Sequence, residues 1–378
     1  MTATGSTPPV GARGAHEPVR VLGDALDTRD NALNLVRLVL ALAVIFGHAF
    51  PLGGFPGFQA GPFVHAGLHG LAVHAFFAIS GYLILASGLR LPTGIYLWRR
   101  FLRIYPGFLV AVLMTAFVFA PLGGMLEPGA RWEASSAAQY VLGALDLKPS
   151  QEGVERTLVA VPWPETWNGS LWTLFYEAAA YLGIAVIVGL PLIRRALPVI
   201  VPIAAVAGSF VYAFVDLASL LSSLPTALAD VLVTGTGLWV PFLWGMLAFQ
   251  WRDRLPARPL AVAVAALAFL VLAHLAVGGI LAELMTVVRT PLLAYTVLGA
   301  GAVLRSRIGQ TNDLSYGMYV YAFPVQQILI LLGVQQLGWF LTAALCALAT
   351  LPFAALSWVL IEKPALALGA RRRPTGQG

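Results

Sequence analysis

The sequence predicts an all-α polytopic membrane protein of about ten transmembrane helices with both termini cytoplasmic. Three observations carry this expectation. Hydrophobic residues make up 59% and charged residues only 11% of the 378, with a mean hydropathy of +0.81, too apolar for a soluble globular domain. The apolar residues gather in windows of roughly 17 to 25, the length that crosses a bilayer as a helix. Arginine is distributed unevenly between alternate loops, as topology requires.

Residues 1–31 carry Pro, Gly and mixed charge without an apolar stretch, which predicts a disordered cytoplasmic tail and neither a cleaved leader nor a folded unit. The transmembrane domain then occupies 32–364, and a basic cytoplasmic tail occupies 365–378. Apolar windows fall at 32–51, 67–88, 103–122, 170–192, 197–216, 232–250, 259–277, 286–304, 315–334 and 338–360. An even number of spans puts both ends on one side. The tails and the loops sharing their side hold 18 Lys and Arg residues, while the other side holds 4, namely Arg131, Lys148, Arg156 and Arg289. Short cytoplasmic loops carry basic residues in excess, so the ends are assigned to the cytoplasm and the protein to the cell membrane. The net charge of +6 reports this topology, and no nucleic-acid partner is read from it. The one cysteine, Cys346, excludes an intramolecular disulfide.

Within the first span, RLVLALAVIFGH places Arg37 and His48 at the two ends of an apolar run. Eleven helical steps bring both side chains to one face, about 16 Å apart along the axis. Ionisable groups inside spans are costly and mark function. Arg37 lies near the cytoplasmic end, where an arginine also snorkels to the interface. His48 lies toward the outside, where a neutral imidazole either accepts a proton from a hydroxyl or simply packs against a carbonyl.

The second span, HGLAVHAFFAISGYLI, supplies His69, His74, Ser80 and Gly81. The histidines lack the spacing of a metal pair on one helix face, so no metal is assigned. Ser80 and Gly81 suit close helix packing. Before the third span, LWRRFLRIYP presents Arg99, Arg100 and Arg103, with Arg100 and Arg103 on one side of a helix. Guanidinium forks recognise phosphate, and ordinary positive-inside loops look the same.

The long segment 123–169 is external and mixes Trp132, Trp163 and Trp167 with Glu133, Asp146, Glu152, Glu155 and Glu165. Such a mixture suits either an interfacial aromatic belt or a platform for stacking a sugar. The fourth span opens GSLWTLFYEAAAY, with Thr173 and Glu177 on one face. Counted from outside, Glu177 lies at a depth similar to His48, where a carboxylate orients or stabilises an imidazolium; a carboxylate bonded to arginine or backbone is the alternative. The ninth span, DLSYGMYVYAFPVQQ, begins with capping residues Asp313 and Ser315 and contains Tyr316, Tyr319 and Tyr321 before Pro324.

Taken in order, these stretches resemble the acyltransferase 3 family of integral-membrane O-acyltransferases. Arg37 and His48 match its Arg-x10-His signature, FFAISGYLI its second-helix motif, and Arg100 with Arg103 its Arg-x-x-Arg. The resemblance continues through SLWTLFYE, DLSYGMYVYAFP and the closing LIEKP, and covers nearly all of the chain after residue 30. One departure is Ala322, where many members carry a histidine. No appended extracellular hydrolase-like domain, such as some members carry, is expected from this sequence.

The resemblance implies transfer of an acyl group, most simply acetyl, from cytoplasmic acyl-CoA to a hydroxyl of a carbohydrate, glycolipid or related acceptor. On that reading Arg37, Arg100 and Arg103 hold the CoA phosphates, His48 is the base and Glu177 supports it. The rival expectation is a transporter of a lipid-linked sugar that uses the buried Arg37, His48 and Glu177 as a substrate or proton path. Transporters of that kind show internal repeats, and no correspondence between the halves of this chain is visible.

Overall fold

The computed structural model describes residues 20–28, 30–56, 67–275 and 278–371, and all statements below concern these. The helices are α1 (Leu22–Leu26), α2 (Leu33–Gly53), α3 (Gly67–Arg90), α4 (Thr93–Met114), α5 (Ala120–Leu126), α6 (Ala134–Leu142), α7 (Thr173–Gly189), α8 (Pro191–Phe214) and α9 (Leu217–Leu220). They continue with α10 (Thr226–Gln250), α11 (Pro259–His274), α12 (Ile280–Val303), α13 (Ser315–Leu331), α14 (Trp339–Ser357) and α15 (Lys363–Arg371). Single π-turn segments, Thr115–Phe119 and Trp358–Glu362, join α4 to α5 and α14 to α15 without breaking the rods.

Each predicted window falls on a helix, but only seven helices are both long and apolar enough to cross a membrane. α7 and α11 are apolar but shorter, at 17 and 16 residues. α13 is different. Every residue from Ser315 to Ile328 is buried, so this helix is enclosed by protein and tolerates polar side chains that a lipid-facing span would not. Gln326 donates to the Ile45 carbonyl at 3.0 Å, and Gln327 donates to the carbonyls of Trp163 and Thr166.

Those last two bonds show that the segment 123–169, expected to be external, is not a loose loop. Trp167 is fully buried with its indole N–H on Thr157, and Trp132 donates to the Ala116 carbonyl. Glu127 is buried and accepts from the backbone of both Val159 and Ala160. Residues 166–172 then descend into the bundle: Asn168 donates to the Val320 carbonyl and the Tyr319 hydroxyl donates to the Ser170 carbonyl. Val320 and Tyr319 lie only about 6–8 Å from the start of α13. Irregular backbone at that depth persists because protein, not lipid, surrounds it. α7 therefore begins inside the bundle, which accounts for its shortness.

Two further expectations are modified. Of the predicted tail, residues 1–19 and Arg29 lie outside the described residues, yet the chain from Arg20 is docked. Leu22 and Ala25 are fully buried, and the Leu22 and Gly23 amides bond to the carbonyls of Leu255 and Arg252. The apolar residues of LGDAL suffice to seat this turn. At the other end, 365–371 continue as helix α15, and Arg99 bonds to the Gly369 carbonyl at 3.2 Å; residues 372–378 lie outside the described residues. Arg289, counted above with an external loop, is instead the tenth residue of α12.

α3 is the organising wall. It packs on α2, α7, α10 and α12, and its contact with α10 is backbone to backbone. A methyl group built on Gly81 would run into the Phe242 carbonyl, and one on Gly245 into the Ala78 carbonyl. Small residues allow this approach, as Gly81 promised. Gly245→Val is expected to cost about 1–3 kcal/mol through overpacking, read as a lowered Tm of detergent-purified protein; an unchanged Tm would show that the contact is slack.

Candidate active site

At the end of the bundle where α2 and α13 begin, Asp313 joins two of the predicted arginines. Its Oδ2 accepts from Arg37 at 2.7 Å and from Arg103 at 2.5 Å, while its Oδ1 accepts from the Ser315 hydroxyl at 2.6 Å. The side chains are 12%, 19% and 16% exposed for Asp313, Arg37 and Arg103, so the bridge is largely withdrawn from solvent. Burial alone would push the Asp313 carboxyl upward, but Arg103, Arg37 and the serine bond outweigh it and hold the group well below the usual carboxylate range. The expected cap is thus also a charged clamp.

These groups border a cavity of about 110 Å³ between α2, α3, α4, α7 and α13. Arg37, Arg100 and Arg103 line one end, with Ser80, Glu177 and Tyr181 on the wall. The predicted pairing of faces holds, because Arg100 with Arg103 and Thr173 with Glu177 all open onto this space. Arg100 has a cation over the rings of Tyr96 and Tyr181 at 5.9 and 5.7 Å and donates to the Ser87 hydroxyl at 3.4 Å. Among the described residues it has no carboxylate partner, unlike Arg103. A second hollow of about 230 Å³, lined by Arg99, Arg100, Arg103, Leu366 and Gly369, lies between α4 and α15. Arg100 and Arg103 therefore stand in the partition between a groove at the α15 end and the interior.

Glu177 does not meet His48. Its Oε1 accepts from Ser80 at 3.1 Å and from Tyr181 at 2.5 Å. His48 instead stacks on His69, with ring centroids 4.6 Å apart. Along α3, Ser80 and His69 are eleven residues and so about 16 Å apart. Counting depth from residue 170 fails because the preceding segment has already carried the chain inward. The expectation that Glu177 orients the imidazole is replaced by a carboxylate that fixes Ser80 and Tyr181 in the cavity wall.

His48 is 7% exposed, held between His69 and the edge of Phe323 at 5.3 Å. No described residue bonds to its Nδ1. It shares a face with Arg37 as expected, since both point to the α13 side, but it does not line the cavity. Val73 and Tyr319 do, and each lies four residues from a ring that touches His48: His69 on α3 and Phe323 on α13. The lining residues Val73 and Tyr319 thus stand about one helical turn along from the rings that enclose the imidazole.

Two features escaped the sequence reading. Asp313 has its arginine partners 276 and 210 residues away. Glu362, within the closing LIEKP, is 3% exposed beside Gly107 and Tyr316, with Oε1 on Ser357 and Oε2 without a described partner. An acid in an otherwise apolar run was the available signal. The position of Ala322 is apolar, packed with Ala41, Ile45, Met318 and Cys346.

A family described as an acyltransferase domain matches residues 30–359, most of the chain. The chain belongs to the acyltransferase 3 family. It is 27% identical over 341 residues to an O-acetyl transferase of Shigella phage Sf6, a match covering 89% of this chain and 96% of that one. It is 28% identical over 362 residues to Nodulation protein 10 of Rhizobium leguminosarum bv. viciae, covering 89% and 94%. No solved structure matches the chain. As a member of the acyltransferase 3 family the protein is an acyltransferase of the membrane, and the transporter alternative is not favoured.

Proposed function

We propose that this acyltransferase moves an acetyl or other short acyl group from cytoplasmic acyl-CoA to a hydroxyl of a carbohydrate or glycolipid acceptor. The observation that carries the reading is the shared partition: Arg100 and Arg103 border both the groove beside α15 and the interior cavity. An extended anionic donor fits such a pair of spaces, with phosphates at the guanidiniums and a slender thioester arm inside. The interior space alone is too small for a nucleotide. The name of the phage relative favours acetyl. With both termini cytoplasmic, as the arginine bias assigns them, the groove faces the donor's compartment.

In the reaction the acceptor oxygen attacks the thioester carbonyl, and the new C–O bond forms as the C–S bond breaks. The hydroxyl proton passes to the His48 ring and then to the departing thiolate, a step that requires the cavity to open past Val73 and Tyr319 toward the imidazole. Nδ1 is buried without a hydrogen-bond partner among the described residues. Glu177 acts at a distance from this step, by holding Tyr181 against Arg100.

The test is release of free CoA by purified protein supplied with acetyl-CoA and membrane glycolipid; absence of release with folded protein rules out the donor. Arg100→Gln is expected to raise KM for acetyl-CoA at least tenfold while leaving KM for acetyl-pantetheine, which lacks the nucleotide phosphates, within twofold. An equal rise for both donors would remove Arg100 from phosphate binding.

A further inference from the structure

On the opposite side of α3 from the catalytic cavity lies a larger one, about 360 Å³, walled by α3, α8, α10, α11 and α12. His74, Tyr212, Glu283, Thr286, Arg289 and Thr290 line it. Arg289 stands nine residues into α12, about 14 Å along the helix. A charge that far into a span is costly and needs a partner. The one it has is the hydroxyl of Thr286, at 2.5 Å, and among the described residues no carboxylate pairs with it. This is also one of the four basic residues that the sequence placed opposite the cytoplasmic side.

The hydrogen-bonding capacity of the wall is specific. Thr286 and Thr290 spend their protons on the carbonyls of Ala282 and Thr286, so they offer lone pairs only. Arg289 keeps N–H groups unspent, and the Tyr212 hydroxyl and the His74 ring have no described bond partner. Donors from α3, α8 and α12 thus line one cavity, to which Glu283 and the threonine oxygens add acceptors. On the same helices Phe210, Leu270, Val271 and Leu281 are exposed, an apolar margin suited to hydrocarbon chains.

We propose that this cavity binds the phosphate-bearing headgroup of an amphiphile, with Arg289 on the phosphate and the chains along α8, α11 and α12. A lone guanidinium with additional neutral donors suits a phosphate with several free oxygens. The acceptors beside it suit hydroxyls on the same headgroup. The source is either a bilayer phospholipid or an isoprenoid phosphate carrier, which share this chemistry. The site stands apart from the donor cavity and does not depend on the reading given above.

Binding of farnesyl phosphate, a short-chain phosphatidylglycerol and neutral dioctanoylglycerol to detergent-purified protein, measured by calorimetry, tests the proposal. At least one phosphate probe should bind ten times more tightly than dioctanoylglycerol, and the tighter of the two identifies the source. Arg289→Gln should weaken that binding at least tenfold. If both phosphate probes bind no better than the neutral lipid, or if Arg289→Gln changes their affinity by less than tenfold, the proposal fails. Should that variant not fold, Glu283→Gln decides the matter: removing the nearby negative charge must tighten phosphate binding at least threefold, and unchanged or weaker binding overturns the site.

Discussion

Replacing His48 with glutamine is expected to lower kcat for acyl transfer by about 10²- to 10⁴-fold, the range that a positioned general base contributes. KM for acetyl-CoA should stay within about threefold, because His48 lies outside the cavity lined by the arginines. Glutamine keeps much of the volume between His69 and Phe323, so the packing that holds the imidazole survives the change. Protein that elutes as wild type and releases CoA at the wild-type rate would end the assignment of the base. A parallel His69→Gln variant separates the two stacked rings: if His69 were the base, its loss and not that of His48 would abolish turnover.

Asp313→Asn is expected to be the most destabilising single substitution in the site. It strands two largely buried guanidiniums, and removing one partner from a buried ion pair costs about 3–5 kcal/mol. The loss should appear as a fall in Tm in detergent at neutral pH. In the double variant Asp313→Asn with Arg103→Gln the fall should be less than the sum of the two single effects, since one stranded charge goes as well. Additive effects would show that the bridge is energetically idle. Because Arg103 and Arg37 hold the carboxyl below its ordinary range, the stabilisation is complete above the ordinary carboxylate pKa of about 3.9 and is lost progressively as pH falls below it.

The spans were legible because an apolar window of bilayer length has few other uses, and the helical faces were legible because i, i+3 and i, i+4 spacing is local. Arg100 with Arg103 and Thr173 with Glu177 met the cavity as spacing required. Depth was not legible. It depends on where a helix starts, and the start of α7 is set by bonds from Asn168 and Ser170 to α13, about 150 residues on. That displacement carried Glu177 to Ser80 and away from His48. α13 reads as a span by length, yet the amide N–H groups of its buried Gln326 and Gln327 donate to carbonyls from α2 and from the segment 123–169, partners no local pattern reveals. Asp313 displays a cap in sequence, and its clamping of Arg37 and Arg103 exists only after folding.

The glycine contact between α3 and α10 also sets how these two helices can move. With Gly81 against the Phe242 carbonyl and Gly245 against that of Ala78, neither rod can slide past the other without collision, so the pair travels as a single beam. The seam between α4 and α15 is of another kind: long arginine stems fill it, and the only shared hydrogen bond described there is Arg99 to the Gly369 carbonyl. One helix pair is thus butted main chain to main chain, while the other is caulked with side chains that rotate without moving either axis.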